Sequence, residues 1–213
     1  MQKAKKLLAE YIPQAAVDEV VKLLYDHKEL YLKITRQRTT KLGDYKKINK
    51  LQHRITINYN LNPYQFLLTL LHEVAHFLTY KRYGTHIKPH GNEWKQTFSK
   101  LLQNYIKPEI FPKELLPALQ KYARNPKAST AGDGDLYLLL SQYNTRQNPN
   151  AKYIFQLQTG QIFALPNGSR YQLQEKRRTR YKCLRLDNQK IYLIHQNAEV
   201  YPINSNKQNE NHT

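Results

Sequence analysis

Two histidines four residues apart bracket the run His72-Glu73-Val74-Ala75-His76. An α-helix advances about 100° per residue, so positions four apart project from one face, one turn higher. Two imidazoles at that spacing can share a zinc ion, and Glu73, beside the first, can reach solvent on the ion without ligating it. Zinc lowers the pKa of a bound water toward about 7, and a neighbouring carboxylate can take the proton while a carbonyl carbon is attacked. The pattern is expected by chance only about 0.01 times in a chain of this composition. Three ionisable groups within five positions of an apolar helix are costly to bury without a partner, which favours metal ligation over core histidines bonded to backbone.

A catalytic zinc needs a third protein ligand and an open fourth position. His86, His90, Glu93 and the distant His195 are the candidates. His90 lies in Lys88-Pro89-His90-Gly91, at the mouth of the next helix, where Gly91 allows a close approach; Glu93 lies one turn in. Spacing alone does not choose between His90 and Glu93.

Certain elements must hold these groups. Asn62 can cap a helix with Pro63 at its first position, Gln65 as capping-box partner, and Leu61 with Phe66 as a staple. That helix runs to Gly84, a residue suited to a left-handed C-terminal cap. Pro13 opens an earlier helix burying Ala16, Val20, Leu23 and Leu24, and strands are expected at Leu30 to Thr35 and His53 to Tyr59. In the second strand Ile55, Ile57 and Tyr59 alternate with Thr56 and Asn58, the pattern of a half-buried strand whose outer edge can pair with an extended substrate. Helices follow over Asn92 to Tyr105, with Trp94, Phe98, Leu101 and Leu102 on one face, over Glu114 to Tyr122, and over Leu136 to Tyr143. From Tyr153 the reading changes to strands. IFQLQ and QIFAL flank a hairpin at Thr159-Gly160, Asn167-Gly168 makes a turn, and strands near 179–186 and 190–194 are joined by Asp187-Asn188-Gln189.

LLHEVAHFLTY followed by KPHGNEWKQTF resembles the SprT-like zinc metallopeptidase family, the Spartan-related proteins. Leu42-Gly43-Asp44-Tyr45 and HRITINYN extend the likeness over roughly residues 30–125. The resemblance implies His90 as third ligand, one catalytic Zn(2+), and an α+β fold: a zincin-type, minigluzincin-like, mostly helical catalytic domain with a small sheet. Relatives often add a ribbon holding zinc through four cysteines. Cys183 is the single cysteine here, so the expectation is a ribbon-like all-β unit without structural metal, packed through Tyr153, Phe155, Phe163, Tyr181, Leu184, Tyr192 and Ile194. Cys183 itself reads as a small buried hydrophobe. The expected organisation is a catalytic domain over 1–122, a linker with a short helix over 123–152, the basic β unit over 153–203, and an unstructured tail over 204–213.

Composition narrows the class further. One cysteine excludes an internal disulfide framework. No stretch approaches the roughly 18 apolar residues of a membrane span, and Glu10 and Asp18 interrupt any signal-like region, so the expected location is the cytoplasm, with nucleoid association in view. Lys and Arg number 34 against 16 Asp and Glu, net +18, which points to a polyanionic partner. Lys33, Arg36, Arg38, Lys46 and Lys47 in one cluster, and Arg177, Arg178 and Arg180 in another, are expected phosphate contacts. Tyr171 and Tyr181 interleave with the second cluster as residues that stack single-stranded bases do. The function expected is a zinc-dependent endopeptidase associated with DNA, single-stranded and without sequence preference, acting on DNA-bound or crosslinked proteins. Glu73 is its general base, with Tyr80 or Tyr83 as oxyanion candidates. The competing expectation is a nucleic-acid-binding protein with a structural or vestigial zinc site.

Overall fold

The computed structural model describes residues 1–38, 40–129, 133–144 and 150–203. The chain divides into two units, residues 1–145 and 146–213, each with its own apolar core.

In the first unit an amphipathic start folds as α1 (Gln2–Leu8), which sequence periodicity did not single out, and buries Leu8. Pro13 caps a short 3-10 turn that leads into α2 (Val17–Tyr25), burying Val17, Val20 and Val21, with Leu23 and Leu24 only half-buried. Three strands follow: β1 (Leu30–Thr35), β2 (Gly43–Lys47) and β3 (His53–Asn58). Their order is β1-β3-β2, with β1 parallel and β2 antiparallel to the central β3. Polar Gly43-Asp44 and Lys46-Lys47 gave β2 no alternation to read.

Helix α3 (Pro63–Tyr83) begins as its residues dictate: the Asn62 side chain accepts the Gln65 backbone N–H at 3.0 Å, and Pro63 stands where no intrahelical N–H is needed. Gly84, at φ 75°, ends it. Twelve of its residues are buried, from Gln65 to Thr79, because the sheet, α4 (Asn92–Gln103) and neighbouring helices cover it. A 3-10 turn and α5 (Leu116–Arg124) follow, then α6 (Gly134–Ser141), capped by Asp133. Leu136 and Leu140 of α6 belong to this core, and the Asn62 amide donates to the Leu140 carbonyl at 2.8 Å. Residues 130–132 and 145–149 of the expected linker, and the expected tail 204–213, lie outside the described residues.

Two expectations about β3 are corrected. The strand is not half-buried: Thr56 and Asn58 are as enclosed as Ile55 and Ile57, while Tyr59, just past its end, is 55% exposed. Arg38 causes this, its guanidinium lying across that face and donating to Thr56 Oγ1 and Asn58 Oδ1, both at 2.9 Å. Nor has β3 an open edge, since β1 and β2 pair with both sides; the strand edge next to α3 that remains free is that of β2.

The second unit is a six-stranded antiparallel sheet, larger than the ribbon-like unit expected. Its strands are β4 (Lys152–Tyr153), β5 (Ile162–Ala164), β6 (Arg170–Arg177), β7 (Arg180–Arg185), β8 (Ile191–His195) and β9 (Glu199–Ile203), in the order β4-β9-β5-β6-β7-β8. The expected IFQLQ–QIFAL hairpin does not form. Ile154–Gln156 is a 3-10 turn, β4 pairs with β9, and β5 lies between β6 and β9. The turn at Asn167-Gly168 is present, with Gly168 at φ 82°. The core is Ile154, Leu157, Phe163, Tyr171, Leu173, Cys183 and Val200. Of the residues expected to pack it, Phe163 is central and Tyr181, Tyr192 and Ile194 flank it, whereas Tyr153 and Phe155 stack on each other at 5.8 Å.

Candidate metal centre

Residues four apart on α3 bring the His72 and His76 rings to one face, their Nε2 atoms 3.2 Å apart. The third imidazole comes from the turn before α4. His90 adopts φ 59°, a left-handed conformation uncommon for a residue with a side chain. Its Nε2 lies 3.2 Å from that of His72 and 2.9 Å from that of His76. The turn is tight because Gly91 follows: a Cβ there would stand 3.0 Å from the Lys88 carbonyl oxygen and 3.2 Å from Glu93 Oε2.

Three converging nitrogens suit a cation. Four-coordinate zinc bound at about 2.0–2.1 Å holds neighbouring nitrogens roughly 3.3 Å apart, close to the spacing seen. Without a cation, at most some of these nitrogens could satisfy one another, since a neutral imidazole carries a single N–H. Burial lowers the pKa of all three below the ordinary histidine value, His76 to about 4, and the neighbouring imidazoles add to this for His72 and His76. Neutral imidazole is the form that ligates. Among the described residues this is the group of histidine, cysteine or acidic side chains close enough to hold an ion. His86 is exposed and Glu93 stands outside the group, while His195 lies on β8 of the second unit.

The rings are set by Trp94, which is fully buried on α4. Its indole stacks on His76 at 5.2 Å, meets His90 edge-on at 4.6 Å and lies tilted against His72 at 4.6 Å. Sequence periodicity placed Trp94 on the apolar face of its helix but not between three ligands.

Glu73 is buried beside this group, in a cleft of about 630 Å³ that the three histidines also line. Burial, and then the nearby Asp44 carboxylate, push its pKa up to about 8, against the opposing pull of the Tyr45 backbone N–H. An adjacent dication would act in the same direction as that N–H, favouring carboxylate. Gly43 is the residue sequence reasoning undervalued. A Cβ there would stand 2.6 Å from Thr69 Cγ2 and 2.8 Å from Glu73 Oε1, so β2 lies directly on the glutamate. Tyr45, two residues on, donates to or accepts from His53 Nδ1 at 2.8 Å, and its ring lies parallel to that of His76 at 6.4 Å. Tyr80 lines the cleft, with the Lys47 ammonium 4.8 Å from its ring; Tyr83 does not line it.

The remaining basic residues scatter. Lys33, Arg36, Lys46 and Lys47 are exposed, whereas Arg38 is half-buried and held by Thr56 and Asn58. In the second unit Arg177 pairs with Glu175 at 3.0 Å, Arg178 occupies the β6–β7 turn at φ 53°, and Arg180 is exposed. Tyr171 is only 5% exposed and belongs to the core, so it is no stacking surface.

An HExxH helix completed by a histidine from the next helix's approach, under a small mixed sheet, forms a three-histidine group that could hold a metal ion, consistent with an HExxH-plus-histidine zinc site, within an α+β protein. Residues 13–112 match the family model described as the SprT-like family, and the chain carries an SprT-like domain there. No curated protein and no solved structure matches the chain significantly. Among the described residues no helix is long and apolar enough to cross a membrane.

Proposed function

We propose that the protein is a zinc-dependent endopeptidase. The observation that carries this reading is the Glu73 carboxylate, buried in the same cleft as three convergent imidazole nitrogens. A site serving structure alone has no use for a buried carboxyl group with no cationic side chain among the described residues hydrogen-bonded to it, which costs stability. Zinc at this position supplies Lewis acidity toward a carbonyl oxygen. The chain's own residues do the rest. His72, His76 and His90 hold the ion, and Trp94 fixes their rings. Glu73 accepts a proton from the attacking water and delivers it to the leaving amine nitrogen. The outer edge of β2 and the residues before it border the cleft from Lys41 to Tyr45, and an extended substrate pairs with this edge main chain to main chain, which tolerates many side chains. Tyr80 stands within the cleft as the oxyanion partner.

The substrate is proposed to be protein bound or crosslinked to DNA. Support comes from net charge of +18 and from exposed Lys33, Arg36, Lys46, Arg178 and Arg180. Binding of this kind is non-specific and salt-sensitive: affinity for a single-stranded oligonucleotide should drop by orders of magnitude between 50 and 200 mM salt if about six or more phosphates are contacted.

The test compares the wild-type chain with Glu73→Gln on a loosely folded protein, with and without single-stranded DNA. Equal zinc content with cleavage reduced about 10²–10⁴-fold in the variant is expected. Absence of cleavage by the wild type in every condition would instead leave a binding protein.

A further inference from the structure

A second concavity, sharing no residue with the zinc cleft, lies between α1 and β1. It measures about 650 Å³ and is walled by Leu7, Leu8, Tyr11, Leu24, Leu32 and Ile34, with Arg36 and Tyr59 at one end. Leu7 is 49% exposed and Tyr59 55% exposed, so water faces apolar surface here. The volume falls within the roughly 300–1,000 Å³ of ligand pockets.

The strand beside it is unfinished. β1 is the terminal strand of its sheet. The His53 N–H donates to the Glu29 carbonyl and the Tyr59 N–H to the Thr35 carbonyl, and in a parallel ladder with this register the odd-numbered residues between them face β3. The backbone N–H and C=O groups of Leu32 and Ile34 therefore point away from the sheet, at the strand whose side chains line the groove. Edge strands are normally blunted by proline, bulges, inward charges or a covering segment. β1 reads Leu-Tyr-Leu-Lys-Ile-Thr, with no proline, and its one charge, Lys33, projects from the opposite face to Leu32 and Ile34.

We propose that this edge and groove accept an extended peptide from another protein, apolar at alternate positions and acidic at the end beside Arg36. The added strand would satisfy the outward groups of Leu32 and Ile34, and every second side chain would enter the groove. Acidic character follows from charge complementarity: among the described residues no carboxylate lines the groove, Arg36 closes it, and exposed Lys3 and Lys6 belong to α1. The same charges disfavour a second copy of this chain as occupant, since pairing would bring like cations together. The site does not rest on the peptidase reading.

The probe is a fluorescein-labelled peptide set of pattern Asp-Glu-apolar-Thr-apolar-Thr-apolar, with Val, Ile, Leu or Phe at the apolar places and its order also reversed. Anisotropy is read against the full chain, and mass spectrometry checks that the peptide stays intact. Saturable binding is expected, weakened about tenfold or more by Leu7→Arg and by Arg36→Glu. Both substitutions are at exposed positions and should leave the circular dichroism and melting temperature unchanged. N-methylation of alternate peptide nitrogens should abolish binding in one phase and spare it in the other. Replacing the acidic pair by Lys-Lys should weaken binding to wild type and restore it to Arg36→Glu. No saturation by any member of the set would overturn the inference. So would equal loss in both N-methyl phases, binding indifferent to Leu7→Arg, or a dimer in sedimentation that Leu7→Arg disperses.

Discussion

Gly43→Ala isolates the contact between β2 and Glu73, the proposed general base. Gly43 does not need glycine's left-handed freedom; what forbids a side chain is space. The added methyl would stand 2.6 Å from Thr69 Cγ2, 2.8 Å from Glu73 Oε1 and 3.0 Å from Glu73 Cγ, where carbon atoms ordinarily rest about 3.5–4.0 Å apart. Something must give by roughly 1 Å: the edge strand, Thr69 or the glutamate. Overpacking of this kind costs about 1–3 kcal/mol, offset by about 0.4–1 kcal/mol because alanine restricts the unfolded chain. The expected loss of stability is thus about 1–2 kcal/mol. Activity suffers more, since a displacement near 1 Å of a reacting group can cost about 10²-fold. Zinc content should not change, because the atoms nearest the added methyl belong to Thr69 and Glu73 and not to the three histidines. Adding Thr69→Ser removes the shortest clash but not those with Glu73, so the double variant should regain stability while staying slow. Cleavage of a fluorescent unfolded substrate, zinc content by mass spectrometry and thermal unfolding measure the three quantities. Gly43→Ala with activity within a factor of about two of wild type would refute the assigned role of this contact.

Asn62→Ala removes the cap on the Gln65 N–H and the amide donor to the Leu140 carbonyl and Asn144 Oδ1, for an expected loss of about 2–4 kcal/mol by denaturant titration; Asn62→Asp keeps the cap but turns a buried carboxylate oxygen onto those two acceptors, so it should also destabilise, and less so at acid pH. Cys183 is fully buried and its thiol is pushed up to about 11, so at pH 8 about one molecule in a thousand carries thiolate. Native alkylation should be slow at that pH and fast once urea unfolds the chain; rapid native labelling would contradict the packing. For the zinc-stripped protein, two pH slopes oppose each other. Glu73, raised to about 8, makes the folded state bind the extra proton between the ordinary glutamate range and pH 8, so stability falls as pH rises there. The metal-site histidines, and His27, His53 and His195, are lowered, so the unfolded state takes up more protons as pH falls below about 6.5 and stability is lost again. Six histidines outweigh one glutamate until most unfolded-state imidazoles have lost their protons, so its melting temperature should peak at about pH 7, and a monotonic profile from pH 5 to 8 would contradict the burial of these groups.

The helix bearing the site was legible because each signal is local: a capping asparagine, a proline at the first position and a glycine past the end specify Pro63–Tyr83 without tertiary help. The His72–His76 pair was legible for the same reason, as i, i+4 spacing is a property of one helix. His90 needed the family likeness, because which nearby donor turns toward α3 depends on the left-handed turn at His90 and the close packing at Gly91. Gly43 carried no signal by itself, since its meaning lies in a 2.8 Å approach from another element. β3 was misread as half-buried because its polar Thr56 and Asn58 looked solvent-facing, and only Arg38, eighteen and twenty residues earlier, makes them interior. In the second unit β4, β5 and β9 are strands of two, three and five residues with weak alternation, which left their pairing undetermined, so β9 inserted between β4 and β5 where a local hairpin was expected.

The account rests on His72, His76 and His90 holding one ion. X-ray absorption on the zinc-loaded chain should show three nitrogen scatterers of imidazole type at about 2.0–2.1 Å, one zinc per chain, with one imidazole lost in His90→Ala. A zinc shell unchanged by His90→Ala, or built from other donors, would contradict it.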